Sequence, residues 1–276
     1  MKKILKWTAI AFVVLISLTL AASVALYSIG MEKLTRSYSN IPVEQVKIPT
    51  DADAIARGKH IATIWACTRC HGNNLGGTVI TSDPIDGYVP ILGTIPASNL
   101  TSGKGGIGKS YTDADWMRAI RHGVKPNGHI EIFMYDYSTM SDHDLGDLLA
   151  YLKQIPPIDS NQPALSYGPI LPIAQAVGVF TPVAELIDHS AQHVADPVPS
   201  DTKGYGKYLS AICTACHGGG LVAPLRGNWR QEDFVRLLRS GVLPNGSQIG
   251  AAMPVGIYRE MNDTELTALW LYSQSR

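Results

Sequence analysis

No acidic residue occurs before Glu32, and no charge of either sign lies between Lys6 and Glu32. That absence excludes a solvated start to the chain. The 24 residues Trp7–Gly30 would span roughly 36 Å as a helix at about 1.5 Å each, against a hydrocarbon core of about 30 Å. Lys2, Lys3 and Lys6 precede the run, which favours a cytoplasmic N-terminus and an exported remainder. A cleaved signal peptide is the competing reading, with Ala21-Ala22-Ser23 as its small-residue site. The run continues past that site through Tyr27, which favours an uncleaved anchor over residues 1–30. An excess of positive charge is also missing. Lys+Arg and Asp+Glu number 23 each, and setting aside the three N-terminal lysines leaves 20 basic against 23 acidic residues beyond the anchor. Such a body offers no basic face for nucleic acid. The 246 residues past the anchor suit one or two domains.

Cysteine is scarce, and its placement is informative. The chain has four cysteines, and Cys67-Thr-Arg-Cys70-His71 and Cys213-Thr-Ala-Cys216-His217 use all of them. C-x-x-C-H is the attachment signature of c-type haem. Two thiols three positions apart on one helical turn reach the two vinyl groups of one porphyrin, and the following His then lies under the iron. Two disulfides, a thioredoxin-type pair or one four-thiolate zinc site would use the same cysteines. None of these requires a His directly after the second cysteine. With 8 His in 276 residues, two such coincidences together have odds of roughly 1 in 1000. Two covalently bound haem c groups are therefore expected, on Cys67 and Cys70 and on Cys213 and Cys216, with His71 and His217 as proximal ligands.

The chain also repeats itself. Residues 111–128 match residues 229–246 at an offset of 118, from Asp115/Asp233 through Gly123/Gly241 to Pro126-Asn127-Gly128/Pro244-Asn245-Gly246. Residues 137–151 match 258–272 at an offset of 121, and the haem motifs are offset by 146. The first copy therefore carries 28 extra residues, 146 less 118, between its haem motif and its middle helix. Ser141 with Asp144, and Asn262 with Glu265, predict capped helix starts. Leu145, Leu148, Leu149 and Leu152 follow at helical spacing, as do Leu266, Leu269 and Trp270.

This order of helix, haem motif, loop, helix, Pro-Asn-Gly turn, methionine loop and helix resembles the class I cytochrome c fold. The resemblance runs from about residue 51 to the C-terminus, without the linker. It implies an all-α architecture: an N-terminal transmembrane helix followed by two class I cytochrome c-like haem domains. It also implies a methionine before each last helix as sixth ligand. Met253-Pro254 fits that loop, nine residues before its cap, whereas Met261 abuts the helix start as core packing. The first copy departs from the pattern. Met134 precedes Ser141 by seven residues and Tyr135 replaces the proline. Met134 is the candidate there, with Met140 aligned on Met261.

Gly103-Lys-Gly-Gly-Ile-Gly108-Lys109-Ser110 fits the phosphate-loop pattern at every fixed position. A phosphate loop follows a buried strand and opens into a helix. This string instead follows Asn99-Leu-Thr-Ser and precedes Tyr111-Thr112-Asp113, where Thr112 or Asp113 caps the next helix. A flexible surface loop, with no nucleotide, is the expectation. The stretch Ser98–Trp116 resembles a loop of multihaem cytochrome subunits that serve membrane-bound alcohol and sugar-acid dehydrogenases.

The expected organisation is an anchor over 1–30, a polar tether over 31–50, a first cytochrome c domain over 51–157, a packed linker over 158–200 and a second domain over 201–276. Residues 155–200 hold 8 of the 17 prolines, with apolar patches at Ile170–Ile173 and Val177–Phe180. His189 and His193 have helical spacing without visible partner ligands. Trp65, Gly72 and Gly218 stand near the motifs, where they would shape haem edges, although core packing explains Trp65 equally well. The expected role is that of a periplasm-facing, single-pass electron carrier of a bacterial cytoplasmic membrane, not an enzyme. It would relay single electrons between a respiratory donor (a dehydrogenase or quinol-oxidising complex) and a terminal acceptor such as an oxidase. The alternative is a dihaem enzyme of peroxidase or thiosulfate-oxidising type with one reactive haem. The short methionine loop of the first copy is the feature in its favour.

Overall fold

The structure, a computed structural model, describes residues 2–43, 45–82, 90–191, 194–217 and 229–274. It is mostly helical. Helix α1 (Lys2–Leu34) leads to α2 (Ala52–Ile64) and to α3 (Cys67–His71), which carries the first haem motif. Short strands β1 (Thr78–Val79), β2 (Gly93–Thr94) and β3 (Pro96–Ala97) come next, then α4 (Asp113–His122) and α5 (Asp142–Leu152). The linker forms β4 (Ser166–Tyr167), α6 (Ile170–Ala176) and α7 (Val183–Leu186). Helices α8 (Lys203–Leu209), α9 (Thr214–His217), α10 (Gln231–Ser240), α11 (Val255–Tyr258) and α12 (Asp263–Ser273) complete the second copy.

Local chemistry sets the helix starts. The Asp51 carboxylate accepts from Ala54 N–H at 2.9 Å and opens α2. Thr112, rather than Asp113, caps α4, in a reciprocal box with Asp115. Ser141 caps α5, and Asn262 with Glu265 boxes α12. Each of these links satisfies backbone N–H groups that the first helical turn leaves unpaired.

Each copy is built on one close helix crossing, α2 over α5 and α8 over α12. A Cβ placed on Gly58 would lie 1.9 Å from the Asp147 carbonyl oxygen and 2.9 Å from Tyr151 Cβ. A Cβ on Gly206 would meet the Ala268 carbonyl oxygen at 1.9 Å and Tyr272 Cβ at 2.9 Å. Asp147 and Ala268, like Tyr151 and Tyr272, are 121 residues apart, so the two crossings are the same contact made twice. The crossing glycines are 148 apart, against 146 for the haem motifs. The first copy takes up its two extra residues at Trp65 and Ala66, where Ala66 adopts a positive φ of 61°.

The copies join through a pseudo-twofold contact. Two residues after each crossing glycine, His60 on α2 and Tyr208 on α8 reach the other copy. His60 Nε2 lies 2.8 Å from Glu265 Oε1, and Tyr208 O–H donates to Asp144 Oδ2 at 2.7 Å. Glu265 and Asp144 occupy matching positions at the starts of α12 and α5. Tyr208 oxygen also accepts from Ser141 N–H at 3.2 Å, and the ring meets Trp65 edge-on at 5.4 Å. Apolar burial is continuous across this contact, and one core holds Trp65, Leu145, Tyr208, Tyr258 and Leu266.

The polar tether is packed against the body of the chain. Helix α1 runs on to Leu34, which is buried in a second core with Val124, Ile130 and Leu171, and Tyr38 N–H donates to the Gly128 carbonyl at 2.8 Å. The glycine-rich string at 103–110 is likewise fixed. Gly103 approaches the Ile158 backbone so closely that a Cβ would sit 2.2 Å from its carbonyl oxygen. Lys104 N–H donates to Asp159 Oδ1 at 2.8 Å, and Ser160 N–H to the Lys104 carbonyl at 3.0 Å. Gly103 and Gly105 serve close packing against the linker, and Gly106 and Gly108 against the Thr101 backbone. Composition alone does not separate that use from flexibility.

Gly58→Ala is expected to destabilise the folded chain by about 1–3 kcal/mol or more, because backbone has to move. Gly204→Ala in α8, where the nearest atom to a Cβ is Thr202 Oγ1 at 3.9 Å, should be neutral or stabilise by up to about 1 kcal/mol. Denaturant unfolding of the two variants checks the contrast. The hydrogen bond that His60 donates to Glu265 raises its pKa, partial burial opposes this, and the charges of Glu265 and Glu260 add to it. The ion pair therefore contributes fully below the unfolded value of about 6.5 and is lost as pH rises through the higher folded value. The His60 side chain is 34% exposed, so the contribution is discounted to about 1 kcal/mol or less. The stability difference between wild type and His60→Gln should shrink between pH 6 and pH 9; a constant difference would remove the ion pair from the interface.

Candidate haem sites

The first haem motif opens on a cavity of about 1030 Å³, counting its open mouth. Cys67, Cys70 and His71 line it, as do Met134, Tyr135 and Tyr137. Ile95, Leu100, Ile107 and Ile120 make the rest of the wall largely apolar. The 28-residue expansion supplies much of that wall, since β3 and the glycine-rich loop carry Pro96, Ala97 and Ile107.

His71 is held in one orientation. Its Nδ1–H donates to the Ser98 carbonyl at 2.7 Å, which leaves Nε2 as the ring's remaining lone-pair nitrogen. Burial lowers its pKa, so the ring favours the neutral, ligating form. Thr78 Oγ1 donates to the Cys70 carbonyl at 2.5 Å and ties the motif to β1. Tyr137 O–H donates to the Trp65 carbonyl at 2.9 Å and joins the methionine loop to the chain entering the motif. Burial, with a smaller effect from Cys70, pushes the Cys67 thiol up to about 12. Glu131 also lines the cavity; burial raises its pKa, and Lys125, 3.5 Å away, partly offsets this.

The residues present fit a haem. Two thiols, an oriented imidazole and a thioether line one cavity with largely apolar walls. Trp116 Nε1–H is a buried donor on the same wall with no acceptor among the described residues, as a donor to a propionate would be. Met140 is fully buried in the core and is not on the cavity wall. Among the described residues no group of three or more His, Cys, Asp or Glu side chains is placed to hold a metal ion, and the four cysteines are free thiols. The disulfide and zinc readings therefore gain no support from geometry.

The second motif is less enclosed among the described residues. Cys213 is partly buried and its thiol is pushed up to about 12 by burial and then by Cys216, whereas Cys216 and His217 are exposed. Met253 lies in a turn closed by its own N–H donating to the Gly250 carbonyl at 3.1 Å, and it packs on the shared core. It lines a cleft with Pro254 and with Thr68 and Arg69, the two residues between the first pair of cysteines. Gly218 and His193 lie outside the described residues. His189 instead meets His122, with Nδ1 atoms 3.0 Å apart.

Ser98, Thr78, Trp116 and Tyr137 were not singled out by the sequence. Ser98 and Thr78 act on backbone carbonyls or through one, which leaves little side-chain signal. Tyr137 had one: it matches Tyr258 in the repeat, and both are buried.

Residues 55–156 match the cytochrome c family. The chain is 27% identical to the fructose dehydrogenase cytochrome subunit of Gluconobacter japonicus, over 73% of this chain and 44% of that protein. It is 26% identical to the gluconate 2-dehydrogenase cytochrome c subunit of Pantoea cypripedii, over 80% and 59% respectively. It is 30% identical to the alcohol dehydrogenase (quinone) cytochrome c subunit of Gluconacetobacter polyoxogenes, over 82% and 57%. The chain thus spans about half the length of the curated relatives it matches. Residues 55–156 are a cytochrome c domain, in a chain homologous to the cytochrome subunits of fructose, gluconate and alcohol dehydrogenases.

Proposed function

We propose that this chain is a membrane-anchored dihaem electron carrier that accepts electrons from a dehydrogenase and passes them to a respiratory acceptor outside the cytoplasm. The observation that carries this reading is the first cavity, where Cys67, Cys70, an oriented His71 and Met134 converge. Haem, when bound, supplies one-electron chemistry, and its two vinyl groups take the cysteine thiols. The residues do the rest. Ser98 fixes the His71 ring, the apolar wall excludes water, and Trp116 waits for a carboxylate. If His71 and Met134 both held the iron, no position would be left for a substrate, which favours transfer over catalysis. The repeat assigns the same roles to Cys213, Cys216, His217 and Met253. Helix α1 is long and apolar enough to cross a membrane, with a mean hydropathy of 2.6 over its best window. The cleft that sets Met253 and Pro254 beside Thr68 and Arg69 supports transfer within the chain, because it puts the methionine loop of one copy against the attachment turn of the other.

Met134→Ala is expected to open the first iron to carbon monoxide and lower its potential, with haem still covalently attached. Met253→Ala should do the same at the second. Met140→Ala should leave both spectra alone and cost about 2–5 kcal/mol of stability. Carbon monoxide binding in the Met140 variant alone would reverse the ligand assignment. Haem quantitation of the purified chain should give two haems, and the reduced wild-type spectrum should not change under carbon monoxide. One haem per chain would sink the dihaem reading. A shift in half of the haem would favour an enzyme with one reactive site.

A further inference from the structure

The linker holds a second long stretch without charge. Ser160–Ala184 contains no Asp, Glu, Lys, Arg or His over 25 residues, as long as the uncharged run Trp7–Met31 in α1. Helix α6 lies in that stretch and packs along α1. Leu171, Pro172 and Gln175 form its buried face. A Cβ on Gly30 of α1 would lie 1.7 Å from the Pro172 carbonyl oxygen, so the two backbones touch. Within the uncharged run of α1, only Ser23, Leu26, Gly30 and Met31 lose exposure, at helical spacing along one side. Ser23 to Gly30 covers about 10 Å at about 1.5 Å per residue.

The other side of this segment is apolar and uncovered. Val179 is 80% exposed and Val177 55%, at the turn that ends α6, and Ile170 at its start is 41% exposed. Ile91, 48% exposed, belongs to a 3-10 turn in contact with α6. A hydrocarbon core of about 30 Å measured from Trp7 ends near Leu26, inside the stretch that α6 accompanies. Tyr27, exposed at that level, and Trp7 at the other end stand where interfacial aromatics belong.

We infer that α6 and the turn after it, residues 169–180, are immersed in the outer face of the bilayer beside the anchor, so that the chain meets the membrane through a wedge as well as through a span. The occupant of this apolar face is lipid. The segment packs along α1, no charge lies within residues 160–184, and its depth matches that of a helix lying in the headgroup and acyl boundary. This rests on the anchor reading of the proposed function. The immersion also sets the height of the first haem site. Phe180 packs edge-on against Phe133 at 5.0 Å, and Phe133 and Leu165 line the first cavity. The same contact that meets lipid therefore bears on the cavity wall.

The test uses the full haem-loaded chain in phospholipid nanodiscs with a photoactivatable group on the acyl chain, and maps adducts by peptide mass spectrometry. Adducts are expected on α1 and on residues 169–180, at least about ten-fold above those on the exposed turn 244–247. The double variant Val177→Asp, Val179→Asp should lose the 169–180 adducts and keep those on α1, with an unchanged haem spectrum. Adducts on α1 but background on 169–180 would overturn the wedge and leave the anchor, which is the outcome if a partner protein covers this face. Background on both would overturn the wedge together with the anchor.

Discussion

The structure hangs on a steric constraint met twice: two helices cross so closely that only glycine fits. At Gly58 and at Gly206 the missing Cβ lets the first helix of a copy rest on a carbonyl of the last. That approach fixes where the haem motif, a few residues on, stands relative to the methionine loop before the last helix. It also fixes what lies two residues beyond each glycine. His60 and Tyr208 are aimed at the opposite copy, and each meets an acid at the start of the other's last helix. Both acids lie in a first helical turn, where a carboxylate is favoured by the helix dipole, and Glu265 also boxes the start of α12. One local rule, an acid in the first turn, thereby doubles as an inter-domain contact. The two ends of the contact are not chemically equal. A phenol donates at any pH near neutrality, whereas an imidazole is charged only below its pKa.

Much of this was legible because the relevant signals are local. C-x-x-C-H, the Ser141 and Asn262 caps and the leucine spacing of α5 each lie within a turn or two of chain, and the repeat doubles every reading. The preference for Met134 over Met140 came from aligning copies, and the cavity wall includes only the former. What stayed hidden is non-local or carried by backbone. The Ser98 carbonyl that orients His71 is 27 residues away. Gly103 and Gly105 read as flexibility because their partner, Ile158 and its neighbours, is contributed from beyond α5. The tether read only as polar, and the packing that holds it comes from Leu34 and from a backbone hydrogen bond to the Pro-Asn-Gly turn.

The copies share a plan but not a shell. The first is thickened by its 28 extra residues and by the linker, which pairs β4 with β2 and lays Ile158 against the glycine-rich loop. The second is about 76 residues long by the sequence division, and its described part leans on the first through Tyr208, Tyr258 and the Met253 turn. A domain that small rarely closes a core unaided. The asymmetry therefore has a division of labour in it: the first copy is the frame, and the second is mounted on it.

Mounting matters for an electron carrier. A haem domain on a free tether finds its partner by diffusion, and its reach is set by linker length. Here the chain leaves α1 already packed, through Leu34 and Leu171, against the core that includes Val124 and Ile130 of the first copy. The second copy is in turn joined to the first by a continuous apolar core. Each joint removes freedom that a tether would keep. The separation of the two C-x-x-C-H motifs is then a property of the fold, and, on the function proposed above, a donor or acceptor has to come to a surface that the fold holds in place.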